Sequence, residues 1–192
     1  VNVIVEAAAR ILEEAGLGGF TTNAVAARAG VSIGSLYQYF PGKDALIGAL
    51  IARETSLLIA DAETALAGPM GEDALSVVIR AAVRHQLRRP TLARLLDIEE
   101  ARLPLDEDTL GVTCRLQAIL LDVLRQSDLQ KPADLTLAAQ DVLAIIKGMI
   151  DGAGERGETD PAGLAKRVSW AVHGYLDQFD LSAGLSRNYR QI

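Results

Sequence analysis

Residues 21–46 read TTNAVAARAGVSIGSLYQYFPGKDAL, and the punctuation of this stretch decides the fold. Thr21 stands where its hydroxyl would accept a free backbone N–H of an opening helical turn. Val25, Ala26 and Ala29 then make a small apolar face. Gly30 ends that helix where a positive φ serves, with Val31 packing just after it. Ser32 caps a second short helix, predicted over 33–40. Pro41-Gly42 stops it, and Lys43 opens a third. Helix, glycine turn and short helix form the layout of a helix-turn-helix that reads DNA.

The stretch resembles the TetR family of bacterial transcription regulators. The resemblance is carried by Thr21, Val25-Ala26, Ala29-Gly30-Val31-Ser32, Gly34, Leu36-Tyr37, Tyr39-Phe40 and Lys43-Asp44-Ala45-Leu46, with the preceding VIVEAAARILEEAG of residues 3–16. It covers roughly the first quarter of the chain. Gly42 departs from it, since relatives usually place a serine, threonine or asparagine cap there, and glycine caps somewhat less well. The resemblance implies an all-α protein with a three-helix DNA-binding head at 1–47 and a helical ligand-binding and dimerisation domain at 48–192. It further implies a cytoplasmic homodimer that binds a palindromic DNA operator and is released by a small ligand, without a cofactor or metal.

Bulk properties point the same way. The chain has 192 residues, enough to bury a real core in one or two domains. Its composition is 49% hydrophobic and 4% aromatic, rich in Ala and Leu and poor in β-branched runs, which favours helices. No apolar run approaches the ~20 residues of a membrane span. The single cysteine, Cys114, has no internal disulfide partner, which fits a reducing compartment. A net charge of −6 argues against a general nucleic-acid binder. Within residues 1–53, Arg10, Arg28, Lys43 and Arg53 balance Glu6, Glu13, Glu14 and Asp44, so the expected reading head is neutral and the remainder carries the −6. Phosphate contacts from Ser, Thr, Tyr and backbone N–H suffice for a small head. The sequence opens at Val1, already inside a helical pattern, so preceding residues, among them a basic arm, are expected.

Working outward, Val1, Ile4, Val5, Ala8, Ile11, Leu12 and Ala15 repeat at helical spacing and predict a first helix over 2–15, followed by a turn at Gly16, Gly18 and Gly19. Phe20 anchors the head. A long helix runs from Lys43 to Leu66, with Leu46, Leu50, Leu57 and Ala60 on one side, and Gly68-Pro69 and Gly71 end it. Helices follow over 72–89, stopped by Pro90; to about 101, capped by Thr91; over 106–126, with Val112, Leu116, Ile119, Leu120 and Val123 in register; and over 134–153, after Lys131-Pro132. The last begins at Pro161 and runs to about 182, with Leu164, Val168, Ala171, Tyr175, Leu176 and Phe179 on one face.

The helix over 134–153 is apolar on more than one side, which implies burial on more than one side. Ala144, Gly148 and Gly152 recur every four residues and would admit another helix closely. The plain alternative is a neighbour within the same chain. The family resemblance implies instead a dimer through the last two long helices, with Ala144, Gly148, Gly152, Val168, Ala171 and Tyr175 at the interface.

For DNA, the resemblance places Ile33 and Gly34 in the major groove, where isoleucine meets a thymine methyl and glycine allows close approach. Ser35, Tyr37, Tyr39 and Lys43 fall where relatives touch phosphates, and Thr22 suits a phosphate as well. Asn23 and Gln38 suit base edges; simple solvation is an equal reading for both. Leu36 and Phe40 read as core. For the ligand, assumed hydrophobic or amphipathic, the polar candidates are His85, Cys114 and Gln117; for each taken singly a satisfied core group or a solvated face is the stronger reading. Trp170 reads as core or interface, and Glu99, Glu100, Asp106, Glu107 and Asp108 as solvent-facing. His85, Cys114 and His173 lie on three helices with no short-range metal spacing, and no phosphate loop or nucleophile elbow stands out. The alternatives are an activator of the same fold and, further off, a helical hydrolase or a ligand-binding protein without DNA binding.

Overall fold

The computed structural model describes residues 1–68, 73–103, 107–127 and 134–188. Among the described residues the elements are helices: α1 (Asn2–Gly19), α2 (Thr22–Ala29), α3 (Ile33–Tyr39), α4 (Lys43–Leu66), α5 (Ala74–Arg88), α6 (Pro90–Arg102), α7 (Glu107–Gln126), α8 (Leu135–Glu155) and α9 (Pro161–Asn188). The breakers read at Pro69, Gly71, Lys131 and Pro132, together with Asp106, lie outside the described residues, as do the side chains of Glu107, Asp108, Val112 and Phe179.

The chain forms two compact units. The first comprises residues 1–57 and 89–113, so the boundary expected at 47/48 falls inside it, on α4. Its core joins Ile4, Val5, Ala8 and Leu12 of α1 to Phe20, Val25, Leu36, Phe40, Leu46, Ile47 and Leu50. Leu92, Leu95 and Leu96 of α6 complete it. They recur at i, i+3 and i+4, the spacing of one helix face, which states that a face is buried without naming its neighbour. Arg89 reinforces the join by donating from Nε to Glu13 at 2.8 Å, and Arg102 donates to Asp44 at 2.7 Å.

Several local expectations change. Helix α1 continues past residue 15 to Gly19, with a kink at Gly16, whose φ of 60° and ψ of −169° are left to glycine. Pro90 opens α6 as its first residue instead of only stopping α5, because a first-turn N–H has no intrahelical partner to lose. Thr91 therefore lies within α6 and does not cap it. On α4, Leu46, Ile47, Leu50 and Ile51 are buried while Leu57 and Ala60 are exposed, so the inward stripe drifts from the one expected. Glu99 is only 6% exposed, contrary to a solvent-facing reading; Arg102 donates to it at 2.7 Å, which offsets the cost of burying its charge.

The second unit comprises residues 58–88 and 114–192. Leu75, Ile79 and Val83 of α5 meet Leu120 and Leu124 of α7, Val142, Ile146 and Ile150 of α8, and Leu164, Val168, Val172 and Leu176 of α9. Each set repeats at three or four residues, so each helix buries one stripe. Asp134 caps α8 by accepting from the backbone N–H groups of Thr136 and Leu137 at 3.0 Å.

Candidate nucleic-acid interface

Local chemistry builds the α2–α3 pair as its sequence predicts. The Thr21 hydroxyl accepts from the Ala24 N–H at 3.1 Å. Gly30 takes φ 67° and ψ 30°, and its N–H returns to the Ala27 carbonyl at 3.2 Å. The Ser32 hydroxyl accepts from the Ser35 N–H at 3.0 Å. Two capped helices of eight and seven residues are thereby held about one glycine, although neither is long enough to be stable alone.

Packing then sorts the side chains of α3. Leu36 and the following Phe40 turn inward and are buried, as expected. Ile33, Gly34, Tyr37, Gln38 and Tyr39 are exposed, with Tyr37 at 49% and Tyr39 at 57%. Two large phenols left in water present hydroxyl donors at the ends of stiff rings, a form suited to phosphate oxygens. Thr22 is half-buried and Asn23 exposed at the start of α2. The Thr22 and Tyr37 hydroxyls lie 3.2 Å apart, so the phosphate candidates of the two helices meet. Ser35 is more committed than its sequence suggests, because its hydroxyl lies 2.9 Å from that of Ser32.

Lys43 has a structural task. Its ammonium donates to the Leu17 carbonyl at 3.0 Å and lies 5.6 Å from the centre of the Phe20 ring. It ties the start of α4 to the end of α1, and an ammonium has two further protons to offer.

The neutral charge of the head acquires a structural reading. Arg28 holds Glu14, Arg10 and Arg53 hold Glu6, Arg89 holds Glu13, and Arg102 holds Asp44. Every acidic residue of the 1–53 stretch thus has an arginine on it, and α3 itself carries no charge. The Arg89 hydrogen bonds, against partial burial, hold the Glu13 carboxyl below the usual carboxylate range. At Glu6 partial burial raises the pKa, and Arg10, Arg89 and Arg53 together outweigh it.

In the second unit the ligand candidates separate. His85 is half-buried with its Nδ1 3.3 Å from Asp61, which also accepts from Arg88 at 2.8 Å. Gln117 is half-buried and Cys114 is exposed. Of the interface candidates, Ala144 and Gly148 are exposed, and Gly152, Ala171 and Tyr175 are half-buried. A Cβ placed on Gly148 would meet nothing within 4 Å, so among the described residues no neighbouring helix packs closely against it. Val168 is 0% exposed inside the core of its own unit, which corrects its reading as an interface residue. Its i+4 neighbours Leu164 and Val172 share that buried face. Trp170 is 64% exposed and is not a core residue. Among the described residues no group of three or more His, Cys, Asp or Glu is placed to hold a metal ion, and no helix is long and apolar enough to cross a membrane.

The family model for bacterial regulatory proteins of the TetR family matches residues 4–50. The helix-turn-helix head thus matches the TetR family. The TetR fold extends well beyond the matched head. A TetR transcriptional regulator from Rhodococcus sp. RHA1 is similar at 25% identity and a TM-score of 0.65, over 91% of this chain and 94% of that one. Another Rhodococcus regulator gives 21% identity and a TM-score of 0.72, over 93% and 97%. The transcriptional regulator FadR from Bacillus subtilis, solved with stearoyl-CoA, gives 20% identity and a TM-score of 0.75, over 89% and 96%. The search of curated proteins found no match.

Proposed function

We propose that this chain is a TetR-family regulator, a ligand-responsive repressor that binds a palindromic operator as a homodimer. The observation that carries the reading is the outer face of α3, where Gly34, Tyr37, Gln38 and Tyr39 are exposed while Leu36 and Phe40 turn inward. In this reading Ile33 and Gly34 approach bases, Gln38 and Asn23 read base edges, and Thr22, Ser35, Tyr37, Tyr39 and Lys43 hold phosphates.

A dimer supplies the second reading head. Exposed Leu137, Ala144 and Gly148 lie along one side of α8, and a partner helix against Gly148 would bury them at close range. Gly152, Ala171 and Tyr175 border that surface in the proposal, and Val168 takes no part. Two heads would then meet successive major grooves about 34–36 Å apart.

The effector is proposed to be hydrophobic or amphipathic, held among helices walled mostly by Leu, Ile and Val. Stearoyl-CoA, the molecule bound by the Bacillus subtilis relative, has that character. Half-buried His85 and Gln117 are the polar groups proposed to orient it. Cys114, exposed in this chain, is left to the rim at most. Release is a coupling free energy, in which ligand favours a state whose heads no longer match the groove spacing. No catalytic step and no cofactor enter the mechanism, and it is that of a cytoplasmic protein.

Selection of bound duplexes from a random pool tests the operator claim. Enrichment of two inverted half-sites one helical turn apart is expected. Enrichment of a single unrepeated site, or of none, would overturn it.

A further inference from the structure

We propose that the groove between α5 and α9 binds a small organic anion, namely a carboxylate or phosphate carried on a flat ring. The groove lies wholly within the second unit and encloses about 470 Å³, a size common for small-molecule sites. Arg80 and Arg84 stand one turn apart on α5, and Lys166 faces the same space from α9. Among the residues lining the groove there is no Asp or Glu, in a chain whose net charge is −6. Guanidinium groups accept the two oxygens of a carboxylate or phosphate in parallel, which sets both affinity and orientation.

Trp170 supplies the ring surface. It lines the groove yet is 64% exposed, the largest apolar side chain of the protein left in water. The Lys166 ammonium lies 4.9 Å from its ring centre, a cation–π pair that holds the indole in place. Val83 and Ala165, both buried, give the groove an apolar lining beside it. Of the described carboxylates nearby, Asp160 accepts from the Ala162 and Gly163 N–H groups at the start of α9, and Asp73 accepts from the Ser76 N–H and pairs with His173. Arg84 and Lys166 beside that aromatic surface match a ligand with one flat apolar part and one oxyanion. This site is separate from His85 and Gln117 and does not depend on the effector role proposed for them.

Trp170 is the chain's one tryptophan, so its emission reports on this groove alone. Benzoate and phenyl phosphate, titrated separately into the intact protein, distinguish carboxylate from phosphate. A saturable change in emission with at least one of them is expected, weakened by about tenfold or more in Arg84→Gln. Arg84 is exposed, so the variant keeps its fold; an unchanged melting temperature verifies this, and Arg80→Gln provides a second test. Unsaturable, linear quenching by both probes would overturn the proposal. So would saturable binding that both arginine variants retain in full.

Discussion

The Thr22 hydroxyl on α2 lies 3.2 Å from the Tyr37 hydroxyl on α3. Each of the two helices thus positions a phosphate candidate of the other. An exposed hydrogen bond of this kind contributes little to stability, about 0.5–1 kcal/mol at most. Its weight lies in fixing where two hydroxyls stand. Tyr37→Phe is therefore expected to leave the melting temperature nearly unchanged and to weaken operator binding by about tenfold or more, the loss of one hydrogen bond to a charged group. Anisotropy of a labelled operator measures this. Unchanged affinity would remove Tyr37 from the interface.

Lys43 is expected to show two effects at once. Lys43→Ala leaves the Leu17 carbonyl without its partner and Phe20 without its cation, at a cost of about 1 kcal/mol. If the ammonium also meets a phosphate, the slope of log affinity against log salt flattens by about one per subunit. Thermal melting and binding at several salt concentrations separate the two. Lower stability with an unchanged slope would leave Lys43 a structural residue only.

Glu13 gives the first unit a pH dependence of defined sign. Its folded pKa is depressed by Arg89, so its contribution is fully present above the ordinary glutamate value of about 4.3 and is lost as pH falls through the folded value. Glu13→Gln is expected to cost about 1 kcal/mol near pH 7, discounted for partial exposure, and progressively less below about pH 4. Melting curves across that range measure the gap between the two proteins. A gap that stays constant with pH would contradict the assignment.

Gly148→Leu tests assembly without disturbing the single chain, since its new side chain starts from open space. Helical content is expected to be unchanged while sedimentation shows dissociation at concentrations where the parent is dimeric. A variant that dimerises as well as the parent would place the interface elsewhere.

The head was legible because its signals are local. Thr21, Gly30 and Ser32 act on backbone groups within three residues of themselves, and the structure puts each to that use. The place of α6 was not legible. Leu92, Leu95 and Leu96 announce a buried face, yet its neighbours in the core lie more than forty residues earlier in the chain. The same limit explains Val168. A stripe running Leu164, Val168, Val172 reads alike whether it meets its own chain or another. Ser35 and Lys43 were placed at phosphates by the family resemblance, whereas their partners Ser32 and Leu17 come from the folded geometry. Trp170 showed the converse. An indole read from the sequence as core or interface stands exposed in the single chain beside two arginines and a lysine.

The central claim is that two copies of this chain read one DNA site. Titration of the purified protein into a labelled duplex from its own promoter, with excess unrelated duplex present, tests it most directly. The account predicts saturation at two chains per duplex, with affinity at least about a thousandfold above the unrelated sequence and falling steeply with salt. Equal affinity for both duplexes, or saturation at one chain per site, would contradict it.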